Sequence, residues 1–373
     1  MSKGLAIIYD PHNLYQFLWY YCTYGQNKKW DALCLPNGFK GQYMDAYCKK
    51  CGVFENIFCD DKDFLAVSLG QQFKIFLHML GYAIIGQQKR FCRKFLNNYV
   101  NIDEYDEINV MTDVGLVSGL AIGLGSLKKV VIMEDGSADY LPRTYLNFFK
   151  YISSLYTWKG FFLSFLGYSN PGHYFPLRTT KKCIKYSSHP EIMTYKKYLS
   201  HNKLYDFSNT NMHMFESIIS RIYDDLNNYD FNKYDTILFT ERIEDFFTNP
   251  KPYQNRLEDY ISENSKNVLI KKHPRDEAEY KFDENVNVDF FDQSIPAEAM
   301  LPYLNNKTLY FSPVSSIMLY LNEETNSVCS LHFSDVDPSD TVNPVLGDYP
   351  TPEKLENAIR SYGLKDYKII ELE

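Results

Sequence analysis

Three short stretches of this 373-residue sequence hold residue types that do chemistry together. Asn267-Val268-Leu269-Ile270-Lys271-Lys272-His273-Pro274-Arg275 begins as an apolar, strand-like run and ends in cations and an imidazole. Pro274 lacks the N–H that another ladder bond needs, and it biases His273 toward extended backbone, so the strand is expected to stop there. A histidine flanked by Lys272 and Arg275 at the carboxyl end of a strand stands where open α/β sheets bind ligands, and these groups suit a phosphate. Glu134-Asp135-Gly136 follows a second apolar run, Lys129 to Met133. Paired carboxylates in that position suit removal of a proton, and the plainer use of the same residues is an Asp-Gly turn with solvated acids. In Phe311-Ser312-Pro313-Val314-Ser315-Ser316 the paired hydroxyls fall at the start of a helix expected over Ile317 to Leu321, and free N–H groups at a helix start favour an anion.

The elements that must position these groups alternate strand and helix. Leu5 to Tyr9, Ala32 to Leu35, Val53 to Phe58, Ile108 to Thr112 and Lys129 to Met133 read as strands. Leu14 to Cys22 reads as an aromatic helix. Gly70 to Tyr99 reads as one helical segment whose basic end, Lys89-Arg90 and Arg93-Lys94, suits a helix C-terminus. After a helix over Met212 to Leu226, the polar stretch 227–233 reads as a linker. The alternation then restarts with strands at Thr236 to Thr240, Val268 to Lys272, Val286 to Phe291, Thr308 to Tyr310 and Val328 to Phe333. A helix over Pro252 to Asn264 and a short one around Ile295 to Glu298 lie between them, and Thr351, Pro352 and Gly363 frame a C-terminal helix. The expected fold class is therefore α/β, with an N-terminal domain over 1–226 and a C-terminal domain over 234–373 whose last helix packs back on the first. Two such Rossmann-like domains facing each other across a cleft make the GT-B arrangement of nucleotide-sugar enzymes, with carboxylates on one side and phosphate-binding groups on the other.

Composition narrows the partners. Net charge is −8 and the sequence pI about 5.6, so no nucleic-acid footprint is expected. The N-terminus lacks the pattern of a signal peptide, and no run of about 18 apolar residues is present, so a cytoplasmic protein without a membrane span is expected. Leu155 to Leu166 is aromatic and apolar, which fits core, a homodimer contact, or peripheral contact with the inner face of the cell membrane. Of eight cysteines, Cys48 and Cys51 form a C-x-x-C with Cys34 and Cys59 nearby; no second C-x-x-C follows, and no metal site is expected. His189-Pro190 repeats the His-Pro pair but follows Tyr186-Ser187-Ser188, which does not read as a strand.

Glu134-Asp135-Gly136, His273-Pro274 and Ser315-Ser316, in that order, resemble the motifs of bacterial sialyltransferases. With Lys-x-His-Pro-Arg and the downstream Ile295-Pro296-Ala297-Glu298, the set looks most like glycosyltransferase family 52, which includes lipooligosaccharide and capsule sialyltransferases. The resemblance implies an inverting, metal-independent enzyme without a cofactor, moving sialic acid from CMP-sialic acid to a sugar hydroxyl, galactose first, on an oligosaccharide or lipid-linked glycan. Carried over by residue, Asp135 is the general base, with Glu134 beside it and Glu241 in reserve among the acids at Glu241, Glu244 and Asp245. His273 hydrogen-bonds or protonates the departing phosphate. Gly136, Lys272, Pro274, Arg275, Ser315 and Ser316 line the substrates, and Glu298 accepts the ribose hydroxyls. Asp10 and Asn13, after the first strand, are candidate substrate contacts in a start, Asp10-Pro11-His12-Asn13, that departs from the family's pattern. Other readings of the same motifs are transfer of Kdo or another nonulosonic acid, a CDP-glycerol-type phosphotransferase, and a catalytically silent scaffold for polysaccharide assembly.

Overall fold

A computed structural model of the chain describes residues 2–35, 41–60, 69–111, 116–125, 127–134, 183–187, 202–204, 208–224, 226, 229–245, 247–311, 315, 317, 320–321, 325–333 and 367–372. They fall into two compact units, the first reaching Tyr223 and the second resuming at Asp224. Each unit is built on one sheet whose strands all run parallel.

The first sheet has the order β3-β2-β1-β4-β5-β6-β7, with β1 at Lys3–Ile8, β2 at Lys29–Cys34, β3 at Phe54–Cys59, β4 at Glu107–Val110, β5 at Lys129–Met133, β6 at Ile184–Ser187 and β7 at Asn202–Leu204. This is the doubly wound order in which the chain starts centrally and reverses between β1 and β4. Strands buried on both faces should be continuously apolar, and Leu5 to Ile8 and Val130 to Met133 are all fully buried. One face packs on α1, Pro11–Tyr20, which opens in reciprocal capping. The Asn13 N–H donates to Asp10 Oδ1 at 2.8 Å, and the Tyr9 N–H donates to Asn13 Oδ1 at 3.2 Å. The aromatic richness of the sequence serves this face. Phe17 meets Trp30 edge-on at 5.1 Å, and Trp19 and Tyr20 meet Tyr186 at 5.3 and 5.7 Å. Gly4 makes room for that packing, since a Cβ there would sit 2.4 Å from the Trp30 ring.

The other face carries an apolar cluster under three helices, α3 at Leu69–Ile84, α4 at Gln88–Leu96 and α5 at Leu116–Ile122, while α2, Gly41–Cys51, links β2 to β3. The single helical segment read over Gly70 to Tyr99 is thus two helices. Gly86 takes φ +69°, its N–H reaches Ala83 O at 3.0 Å and the Gln87 N–H reaches Tyr82 O at 2.8 Å, which closes α3 in the manner of a Schellman cap. The basic residues at 89–94 therefore belong to α4 and not to the end of a longer helix.

The second sheet has the order β10-β9-β8-β11-β12-β13, with β8 at Thr236–Phe239, β9 at Asn267–Lys271, β10 at Asn287–Phe290, β11 at Thr308–Phe311, β12 at Ser327–His332 and β13 at Tyr367–Glu371. Its point of reversal lies between β8 and β11. Helix α6, Met212–Ile222, closes the first unit, and α7, Lys251–Asn264, follows β8. Part of the stretch read as a linker is packed: the Tyr229 ring lies 4.6 Å from that of Phe291, and Phe231 stacks on Tyr303 at 5.1 Å. The expected C-terminal helix, 155–166 and His189 lie outside the described residues. Ser187, read as part of a non-strand stretch, ends β6, so His189-Pro190 does follow a strand.

Glu107, fully buried in β4, ties the first unit together electrically. Tyr20 donates to Oε1 at 2.5 Å, Lys129 stands 2.9 Å from Oε2, and Lys28 also pairs with it. Burial alone would raise its pKa, but the hydrogen bonds from Lys28, Tyr20 and Lys129 outweigh it and hold the carboxyl below its usual value. A depressed pKa gives stability that is present above the unfolded value and lost as pH falls through the folded one. Glu107→Gln is therefore expected to destabilise by about 2 kcal/mol at neutral pH, with the gap to the parent closing in acid, read by urea unfolding at several pH values.

Candidate active site

Strand pairing decides which candidate residues meet. In the second sheet Phe239 of β8 is level with both Lys271 of β9 and Phe311 of β11. The Thr240 N–H continues the ladder to Lys271 O at 3.1 Å. Thr240 and Glu241, and Lys272 and His273, therefore leave the sheet together at its carboxyl edge, level with the end of β11 and around the β8–β11 reversal. This is the edge where such sheets bind ligands.

His273 is held in a tight turn. Its carbonyl accepts the Asp276 N–H at 2.9 Å, and its own N–H reaches Thr240 Oγ1 at 3.4 Å. The buried Asp276 carboxylate accepts from Thr240 Oγ1 at 2.5 Å and Tyr280 OH at 2.9 Å through Oδ2, and from the Ala278 N–H at 3.0 Å through Oδ1. Gln293, beyond β10, donates from Nε2 to the carbonyls of His273 and Asp276 at 3.1 and 2.7 Å. The Arg275 N–H donates to His273 Nδ1 at 3.2 Å. An Nδ1 that accepts carries no proton, so the neutral ring bears its proton on Nε2 and presents a hydrogen-bond donor there.

The neighbouring cations differ in role. Lys271 is buried, its Nζ donating to the carbonyls of Lys272 and Gln293 at 3.0 and 3.2 Å. Burial pushes its pKa down to about 8, against the opposing pull of Glu298 and Asp292. Lys272 donates to Ala278 O at 2.9 Å and lies over the Tyr280 ring at 5.9 Å, so it braces the loop. Arg275 and Pro274 are exposed. Glu298 is buried at the start of the 3-10 turn Ala297–Tyr303, close enough to Lys271 to bias its charge. Ser315 is buried; Ser316 lies outside the described residues, as do Met318 and Leu319 of the helix expected after it.

Glu241 is half-buried on the same edge as His273, and Glu244 is exposed and 4.0 Å from Arg242. Glu134 belongs to the other unit. It is fully buried just after β5, and its carbonyl accepts Gln16 Nε2 at 2.9 Å. Asp135 and Gly136 lie outside the described residues. Asp10 and Asn13 cap α1, so both side chains already have backbone partners.

Among the described residues no group of three or more His, Cys, Asp or Glu side chains is arranged to hold a metal ion. The eight cysteines are free, with Cys34 Sγ 3.5 Å from Cys48 Sγ. No helix among the described residues is long and apolar enough to cross a membrane.

The sequence pattern pointed to His273, with Lys271 in the same run, but not to Thr240, Asp276 or Gln293, which fix its turn. Asp276→Ala is expected to lower stability by roughly 2–4 kcal/mol, because it strands the Tyr280 hydroxyl and the Ala278 N–H. Thr240→Val, which removes one partner of the three, should cost less; urea unfolding of both variants checks the order.

The family model described as "Alpha-2,8-polysialyltransferase (POLYST)" matches residues 122–326, more than half the chain, and the three motifs lie inside that range. No curated protein matches the sequence. Among solved structures the chain is similar to a Photobacterium sp. JT-ISH-224 2,6-sialyltransferase in a ternary complex with CMP and lactose, at 11% identity and TM-score 0.49, over 99% of this chain and 78% of that one. It is similar to a sialyltransferase from Photobacterium damsela at 10% identity and TM-score 0.48, over 99% and 81%. It is also similar to Acinetobacter baumannii MurG at 13% identity and TM-score 0.43, over 100% and 86%. Each of the two sheets is parallel and doubly wound, the α/β class expected from the sequence.

Proposed function

Because the chain belongs to the alpha-2,8-polysialyltransferase family, an enzyme family, we propose that it transfers sialic acid from CMP-sialic acid to the 8-hydroxyl of a sialic acid that ends a growing glycan. The family's description supports that linkage, and with it an acceptor ending in sialic acid rather than galactose. A glycan carried on a lipid and destined for a capsule or lipooligosaccharide fits the same chemistry.

In the proposed reaction the acceptor O8 attacks the anomeric carbon of the donor sugar as the bond to the CMP phosphate oxygen breaks. The O8 proton passes to the base, and the new bond forms with inversion. The observation that carries the leaving-group half is the Nε2 donor of His273, oriented by the Arg275 N–H and held at the carboxyl edge of the second sheet. That donor and the Ser315 hydroxyl, with the exposed guanidinium of Arg275, supply the charge stabilisation a departing phosphate needs, without a metal ion. Lys272 acts by bracing the loop. Glu298 takes the ribose hydroxyls while sharing its charge with Lys271. We assign the base to Asp135, with Glu134, fully buried just after β5, beside it. Glu241 is the reserve, supported by its place on the same edge as His273.

The test is incubation with CMP-sialic acid and an acceptor ending in sialic acid, in parallel with one ending in galactose. Free CMP and a lengthened sialic acid chain are expected with the first, unchanged after dialysis against a chelator. His273→Ala should reduce turnover about 10²–10³-fold. Asp135→Ala should abolish turnover and keep CMP affinity. A fully active Asp135→Ala would move the base to Glu241, and transfer to galactose alone would overturn the proposed linkage.

A further inference from the structure

Large exposed apolar side chains concentrate on one short hairpin. In α3, Phe73 is 61% exposed, Leu77 46% and Ile84 76%, and Ile85 just beyond it is 62% exposed. These positions, with Gly81 between them, recur at helical spacing and form one outward stripe. A Cβ built at Gly81 would meet nothing within 4 Å, so the stripe is open there. The opposite side of α3 is apolar too: Met79 is buried in the cluster under the sheet, with Ile75, Tyr82 and Ala83 packed against it. A helix apolar on both sides normally has both sides covered. Here the second side is exposed at Phe73, Leu77, Ile84 and Ile85.

Helix α4 supplies the complementary half. Phe91, Cys92 and Leu96 go into the same cluster as the inner face of α3, so the outer faces of both helices point away from one core. The outer face of α4 carries Lys89, Arg90, Arg93 and Lys94, all exposed, and α3 adds Lys74. Arg93 is paired with Asp103 at 3.0 Å. In a chain of net charge −8 this is a local reversal of sign. A bare apolar stripe beside clustered cations is the make-up of surfaces that sink partway into an anionic lipid interface. A second copy of the chain fits less well, because it would bring these cations against one another.

We propose that the α3–α4 hairpin docks on an anionic phospholipid bilayer, with Phe73, Leu77, Ile84 and Ile85 entering the headgroup boundary and the α4 cations meeting lipid phosphates. The proposal stands apart from the transfer reaction, since lipid binding needs neither donor nor acceptor. The experiment is co-sedimentation of the full chain with vesicles of phosphatidylcholine alone and of phosphatidylcholine mixed with phosphatidylglycerol. Binding is expected with the mixed vesicles, weakening as salt rises. Ile84→Asp with Ile85→Asp, and separately Arg90→Glu with Lys94→Glu, should each weaken it about ten-fold or more. Gly81→Asp, which removes no packing, should weaken it in the same direction. All three variants should keep the parent's unfolding midpoint and its CMP release with a soluble acceptor. Absence of binding to mixed vesicles, or binding that these variants leave unchanged, would overturn the proposal. So would a dimer that dissociates on Ile84→Asp with no vesicle binding, which would make a second copy the occupant.

Discussion

The buried carboxylate of Asp276 is the constraint on which the candidate site depends. It takes hydrogen bonds from Thr240 after β8, from Tyr280 and from the Ala278 N–H, and so pins the turn that follows β9 against the strand beside it. A carboxylate in that position is costly unless its acceptor sites are filled, and here three donors fill them. The result is a short loop with little freedom, in which Pro274 ends the strand and the Arg275 N–H orients the imidazole. The chemistry assigned to His273 follows from its neighbours: a neutral ring whose Nδ1 is occupied as an acceptor donates from Nε2.

The same principle, polar groups buried only where their partners are preset, runs through the first unit. Glu107 sits within β4 because Tyr20, Lys28 and Lys129 converge on it from α1 and from the starts of β2 and β5. Aromatic side chains of α1 fill the space above the sheet around this network. A rigid first unit of this kind can carry an acid beyond β5, and it leaves the opposite helical layer, α3 and α4, with a surface turned outward.

Much of this was legible in the sequence, for reasons that differ by element. Apolar runs such as Leu5 to Tyr9, Lys129 to Met133 and Val268 to Lys272 became central strands because only strands buried on both faces need such continuity. Strands β6, β7 and β13, the last two at sheet edges, escaped, being short and mixed with Lys, Asn or Ser. The break between α3 and α4 escaped because a glycine inside an apolar helical pattern reads as tolerated, while Gly86 is required for its positive φ. Within the stretch read as linker, Tyr229 and Phe231 had apolar partners some sixty to seventy residues away, out of reach of any local pattern. The site divides the same way. His273-Pro274 was visible because proline ends a strand, whereas Asp276, Gln293 and Thr240 act through contacts that only the folded sheet creates.

In the proposed reaction the carboxyl edge of the second sheet binds the nucleotide phosphate through His273. A crystal structure of the full chain with CMP bound tests it most directly. A phosphate oxygen is expected within hydrogen-bond distance of His273 Nε2, with the Arg275 N–H still on Nδ1 and the Asp276 turn unmoved. CMP bound at the edge of the first sheet, or bound with its phosphate away from His273, would contradict it.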